Sequence, residues 1–292
     1  MKRLITFFLV AGVLFMLTSL RNRPITIFMI GDSTMANKPT TGDKADNQER
    51  GWGQMLQMFF DSTKVVVDNH AVNGRSSKSF IDEGRWQAVF QKIRPGDYVI
   101  IQFGHNDEKP KADRHTDPGS TFDANLKKFI EETREKGGTP ILMNSIVRRK
   151  FYVDPNAVAA DDALLKADGS ELKKNAAIVT DTLVDTHGDY VVAPRNVAQE
   201  TGCLFIDATR ITHDLIQPMG PEKSKSLFCW LPVGKYKTAP NGRQDDTHLN
   251  IYGASVIAGI LANETVRQEP TLKKCINKKK VKEFTRLAPK KD

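Results

Sequence analysis

The chain has 292 residues, 39% hydrophobic and 27% charged, which suits one large core or two small ones and excludes extended disorder. Three cysteines are too few for a disulfide scaffold, and 20 glycines and 14 prolines without a period exclude a collagen-like chain. The net charge of +8 is not a nucleic-acid footprint: residues 1–23 carry +4 and the stretch from Arg267 to Asp292 carries +7, so the body between them is −3.

Lys2 and Arg3 precede an apolar run from Leu4 to Leu20 that Arg21, Asn22, Arg23 and Pro24 close, the charged-then-apolar pattern of a secretory signal. Thr18 and Ser19 match the small-residue cleavage pattern only weakly, so an uncleaved membrane anchor is the alternative. Both readings place the folded body outside the cytoplasm, periplasmic or secreted.

From Pro24 onwards, strands are predicted at Ile25 to Ile30, Val65 to Asn69, Tyr98 to Phe103, Ile141 to Ile146 and Leu204 to Ile206. Helices are predicted at Trp52 to Phe60, Phe80 to Ile93, Phe122 to Lys136, Tyr190 to Thr201 and Ile251 to Arg267. Strands alternating with helices imply a three-layer α/β/α sandwich with a five-stranded parallel sheet, one domain over 24–266. Right-handed crossovers put all the strand carboxyl ends on one edge, where open α/β sheets bind ligands. Two stretches exceed ordinary loop length: Arg148 to Asp189, with a short helix around Glu171 to Val184, and Gln217 to Gln244. Such excursions are lids, walls of a site or insertions. The basic tail over 267–292 reads as a solvated charge run and is assigned no function. Cys203, in Cys203-Leu-Phe-Ile206, reads as a core residue, and Cys229 and Cys275 are the pair that an oxidising compartment would permit to bond.

The first strand runs into Gly31-Asp32-Ser33-Thr34, which exposes a serine at the sheet edge near backbone N–H groups. The second leads into Asn73-Gly74-Arg75-Ser76-Ser77-Lys78, where the Gly74 N–H is open to close approach. The third ends in Gly104-His105-Asn106-Asp107, and the Asn106 carboxamide is a donor whose charge does not change with pH. Each also has a bland reading, as a turn, a polar loop or a helix cap. His105 has a rival role as base or metal ligand, but its neighbours offer no zinc spacing. Near the end, His248 is the one histidine of six with an aspartate three residues before it, Asp245, placed to fix its tautomer. Asp246 is one residue too close for that and reads as a cap or supporting group. A nucleophilic Ser33, a base His248, an orienting Asp245 and oxyanion donors at Ser33, Gly74 and Asn106 make a complete acyl-transfer set. No nucleotide-binding motif is present and neither cofactor nor metal is implied.

These blocks resemble the SGNH or GDSL hydrolase superfamily, through Ser33 in IGDST, Gly74 in VNGRSSKSF, Asn106 in FGHND and His248 in DDTHLN, from Ile25 to about Ala262. The longer block NGRSSKSFIDEGRW, with GDSTMA and FGHNDE, is similar to the rhamnogalacturonan acetylesterase family of carbohydrate esterases. The resemblance implies a flavodoxin-like fold and metal-free removal of O-acetyl groups from pectin backbones by a Ser-His-Asp triad. It also implies an acetylated pectic polysaccharide or oligosaccharide as partner. Arg75, Lys78 and Arg85 are cations that a galacturonate could meet, and Trp230, just before the Asp-x-x-His, reads as a site wall. Trp52 and Trp86, inside predicted helices, read as core. Rival readings keep the chemistry with another substrate (a lysophospholipase, thioesterase or acyltransferase), or keep the scaffold as a non-catalytic glycan-binding protein.

Overall fold

The computed structural model describes residues 23–154 and 178–285, so the predicted leader lies, but for Arg23, outside the described residues. Its first half contains β1 (Ile25–Gly31), α1 (Trp52–Met55) with a 3-10 turn to Phe59, β2 (Val65–Asn69), α2 (Ser77–Asp82), α3 (Arg85–Phe90), β3 (Tyr98–Gln102), α4 (Thr121–Glu135) and β4 (Thr139–Met143). There follow β5 (Phe151–Asp154), β6 (Ile178–Leu183), α5 (Asp189–Thr201), β7 (Leu204–Ile206), α6 (Ala208–Ile216), β8 (Phe228–Leu231) and β9 (Arg243–Leu249). Three helices close the chain: α7 (Ile251–Gln268), α8 (Pro270–Lys273) and α9 (Lys278–Thr285).

Five strands form one parallel sheet in the order β2-β1-β3-β4-β7. Successive side chains of a strand point to opposite faces, and the central strands use both. Ile27 and Met29 of β1, Tyr98 and Ile100 of β3, and Ile141 and Met143 of β4 enter one core with α1, α6 and α7. Phe28 and Ile30, Val99 and Ile101, and Leu142 enter the other with α2 to α5. Burial on both faces is why these strands read as nearly unbroken apolar runs. Trp52 and Trp86 are both in the core.

Several predicted boundaries are corrected. The helix expected over 80–93 is two helices, because Gly84 takes a left-handed φ of 70° between α2 and α3. The strand expected to reach Ile146 stops at Met143, because Asn144 turns its side chain to Asp207 Oδ1 and the N–H of Thr209. Within the predicted helix around 171–184, residues 178–183 form β6, antiparallel to β5, and 171–177 lie outside the described residues. The long second excursion folds back as β8 against β9.

The tail also differs from a solvated run. Leu272, Cys275 and Val281 are buried against α7 and the 3-10 turn, Asn277 N–H donates to Phe59 O, and the Phe284 ring meets Phe59 edge-on at 5.7 Å. The lysines hide this from composition, since apolar residues spaced along an amphipathic helix are diluted by the charges on its other face. All three cysteines are buried free thiols, so Cys229 and Cys275 do not pair. Cys229 instead donates its S–H to Leu249 O, and burial raises the Cys203 thiol to about 11.

Candidate active site

The β1–β3 pairing sets Gly31 opposite Gln102, and the Val72 N–H donates to Gly31 O, so the loops after β1, β2 and β3 leave one edge side by side. Gly31 is required by close approach: a Cβ there would sit 2.7 Å from Gln102 O. The next residue, Asp32, accepts from the N–H and hydroxyl of Thr34 at 2.9 and 2.8 Å, a local turn that presents Ser33. Burial pushes the Asp32 carboxyl above its usual range despite those bonds.

At this edge Ser33 Oγ lies 2.9 Å from His248 Nε2, and His248 Nδ1 lies 2.8 Å from Asp245 Oδ2. The other Asp245 oxygen accepts from the backbone N–H groups of Thr247 and His248, each at 2.8 Å, so the three-residue spacing folds the carboxylate back onto its own histidine. Burial works to raise the Asp245 pKa, but the hydrogen bond and charge of His248 and the two backbone donors outweigh it and hold the carboxyl far below its usual range. The histidine's two nitrogens are thus divided between a carboxylate and a hydroxyl.

The structure adds a charged network that sequence reading did not find. Arg243 donates to Asp245 Oδ2 and pairs with Glu49 Oε2 at 2.5 Å, while Lys38 pairs with Glu49 Oε1 at 2.8 Å and donates to Asn73 Oδ1 at 2.6 Å. It therefore links the Asp245 carboxylate to the residue before Gly74. The Lys38 side chain is 2% exposed, which makes Glu49 its obligatory counter-charge. No local pattern marks these residues, since the members stand as far apart as Glu49 and Arg243 and share no spacing.

Gly74 has a φ of 75°, a left-handed conformation that strains any other L-residue. Asn106 Nδ2 donates to Arg75 O at 3.2 Å, which ties the second loop to the third and leaves the carboxamide a second N–H. Asp107 anchors both loops by accepting from Ser77 N–H and hydroxyl, Thr116 hydroxyl and Gly104 N–H. Burial raises the Asp107 carboxyl to about 6 even against the Ser77 and Thr116 bonds.

The cations proposed from sequence for substrate already have carboxylate partners. Arg75 and Arg85 both pair with Glu83, and Lys78 pairs with Asp82 one turn on. Trp230 is half-buried, donates its Nε1–H to Asp246 at 2.8 Å, and has Arg149 and Lys225 over its ring at 4.8 and 4.4 Å. Asp246 is no helix cap: it holds Arg149 at 2.7 Å, fastening β9 to the start of the first excursion.

His105 lies buried beside His187, ring centroids 4.4 Å apart. Burial, then the His187 and Arg148 charges, holds its pKa well below the usual histidine range. Among the described residues no group of three or more His, Cys, Asp or Glu could hold a metal ion. Glu108 accepts from His187 Nδ1 at 2.8 Å and Arg148 at 2.5 Å, closing the neck of the first excursion. Burial opposes ionisation of Glu108, but these two partners bring its pKa down to about 2. A depressed carboxylate pKa stabilises the fold above the ordinary glutamate value and loses that stability as pH falls towards 2. Glu108→Gln should therefore cost up to about 3 kcal/mol at pH 7, a gap that narrows below pH 5. Urea unfolding midpoints against pH check this, and a pH-independent gap would refute it.

Residues 29–254 match the model of the GDSL-like Lipase/Acylhydrolase family. The chain is 36% identical over 240 residues to the rhamnogalacturonan acetylesterase RhgT of Bacillus subtilis (strain 168), covering 82% of this chain and 89% of that protein. It is 28% identical over 233 residues to a rhamnogalacturonan acetylesterase of Emericella nidulans, covering 80% and 81%. Among solved structures, the crystal structure of YxiM from Bacillus subtilis matches with a TM-score of 0.62 at 23% identity, over 84% of this chain and 57% of that one, a likeness of fold.

Proposed function

Because this chain belongs to the GDSL-like Lipase/Acylhydrolase family and is a carboxylic ester hydrolase, we propose that it removes O-acetyl groups from rhamnogalacturonan with Ser33, His248 and Asp245 as its triad. The observation that carries the mechanism is the hydrogen-bonded series Ser33 Oγ, His248 Nε2, His248 Nδ1, Asp245 Oδ2, at 2.9 and 2.8 Å. The substrate rests on the two relatives that bear that name.

In this reading Ser33 Oγ attacks the acetyl carbonyl carbon while His248 Nε2 takes the hydroxyl proton. The Asp245 carboxylate holds the tautomer and offsets the imidazolium charge without itself taking the proton, as its depressed pKa requires. The carbonyl oxygen becomes an oxyanion met by the Ser33 and Gly74 N–H groups and the remaining Asn106 N–H. His248 then returns the proton to the sugar oxygen as the ester bond breaks. Water, deprotonated by His248, attacks the acetyl-serine, and the bond to Ser33 Oγ breaks as His248 returns that proton to Oγ, releasing acetate.

The test is acetate release from acetylated rhamnogalacturonan, acetylated xylan and a long-chain lipid ester. Release from the pectic substrate at a kcat/KM about tenfold or more above the others is expected. Preference for the lipid ester would overturn the substrate and favour a lysophospholipase.

A further inference from the structure

An acetyl group is a side substituent, so a polysaccharide that presents it to Ser33 must run past the site in both directions. A groove of suitable character is walled in part by the residues that follow His248 in the chain. It is lined by Trp230, Lys235 and Tyr236 from the second excursion, Gln48, Tyr252 of α7 and Phe284 of α9. Asn250 and Ile251, also in its wall, follow His248 by two and three residues. At about 3.8 Å between consecutive Cα atoms, the Cα of Asn250 lies within about 8 Å of the Cα of His248.

Its surface is unusual for this molecule. Ile251 and Tyr252 are 37% and 44% exposed, and Val233 in the adjoining turn is 77% exposed, three of six exposed large hydrophobics among the described residues. A cluster of this kind marks a contact surface where scattered single residues would not. The lining contains one lysine and no carboxylate. Two nearby lysines are already paired, Lys225 with Glu222 and Lys280 with Glu283. Lys235, exposed and 5.4 Å from the Tyr236 ring, has no ion-pair partner among the described residues. The Trp230 ring is held by Arg149, Lys225 and Asp246, so it serves as a fixed wall and Tyr252 as the open aromatic face.

We propose that this groove is a second sugar-binding site, for an acidic pyranose chain with a uronate carboxylate at Lys235 and a sugar ring on Tyr252. A pyranose has an apolar C–H face and a hydroxyl rim, which an exposed tyrosine matches with its ring and its O–H. The lone lysine in a wall without carboxylates selects an anionic sugar over a neutral one. The proposal deepens the glycan-esterase reading and rests on it. It also gives the C-terminal helices a role, since Phe284 of α9 forms part of the wall.

The experiment is calorimetric titration of the full chain carrying Ser33→Ala with a deacetylated rhamnogalacturonan oligosaccharide. Adding Tyr252→Ala or Lys235→Glu should each weaken binding about tenfold, while Tyr252→Phe and Lys235→Arg should retain it and all four keep the parent melting temperature. A neutral xylan oligosaccharide should lose affinity with Tyr252→Ala and not with Lys235→Glu. Undiminished binding of the acidic oligosaccharide by both disruptive variants overturns the groove, even if the unmutated chain deacetylates rhamnogalacturonan. Weakened binding by those variants, when the chain with Ser33 intact releases no acetate from acetylated rhamnogalacturonan, supports the groove and overturns the substrate reading instead. An equal loss for both sugars with Lys235→Glu overturns the uronate assignment.

Discussion

Ser33→Ala is expected to lower kcat for ester hydrolysis by roughly 10⁵- to 10⁶-fold while leaving the melting temperature within a degree or two. The hydroxyl makes one hydrogen bond, to His248 Nε2, so its removal costs the fold little. His248→Ala should cost a similar factor, and Asp245→Asn about 10⁴-fold, because the amide N–H would donate to Nδ1 and hold the imidazole in the tautomer with its proton on Nε2. The double variant Ser33→Ala, His248→Ala should be hardly slower than either single one, because the two act as a unit. Initial rates on a small acetyl ester, with circular dichroism for the fold, decide the matter. Hydrolysis by Ser33→Ala within tenfold of the parent would remove Ser33 as nucleophile.

Glu49→Ala should produce the largest loss of stability among single changes at the site, about 3–5 kcal/mol in urea unfolding at pH 7. It strips the buried Lys38 ammonium of its counter-ion and leaves only Asn73 Oδ1 as partner. It also frees Arg243, the guanidinium that meets Asp245 Oδ2, so kcat should fall about tenfold as well. Burial opposes the Glu49 charge, but the bonds to Lys38 and Arg243 hold its pKa below the usual value. The stabilisation is therefore present above the ordinary glutamate range and lost on acidification. Adding Lys38→Met to Glu49→Ala should restore most of the stability, because the cost lies in an uncompensated buried charge. A loss under about 1 kcal/mol for Glu49→Ala, or no recovery in the double variant, would show that water reaches the lysine and refute the account.

Much of the fold is legible because its signals are local. Val65–Asn69 and Leu204–Ile206 are strands with the predicted ends, and Thr121–Glu135 and Ile251–Gln268 are helices within a residue of the predicted ends. Each has a period or an apolar run that its own residues create. The errors fall where a distant partner decides. Residues 178–183 are a strand because β5 pairs with them, and β4 ends at Met143 because Asn144 finds Asp207 across the chain. The C-terminal helices look like a solvated charge run in the sequence for the same reason, since Leu272 and Val281 become core only once Phe59 and α7 stand opposite them.

The site divides in the same way. The sequence by itself determined which residues could do acyl-transfer chemistry and that strand ends would hold Ser33, Gly74 and Asn106. It also set Asp245 three residues from His248, close enough in the chain to fold back on it. Only the tertiary structure decided that Ser33 and His248, 215 residues apart, meet at 2.9 Å. It alone brought Lys38, Glu49 and Arg243 into one charged network beneath them and turned Arg75 and Lys78 towards Glu83 and Asp82. The physical reason is that backbone propensity and side-chain period act over a few residues, whereas the pairing of buried charges depends on which distant segments the packed cores press together.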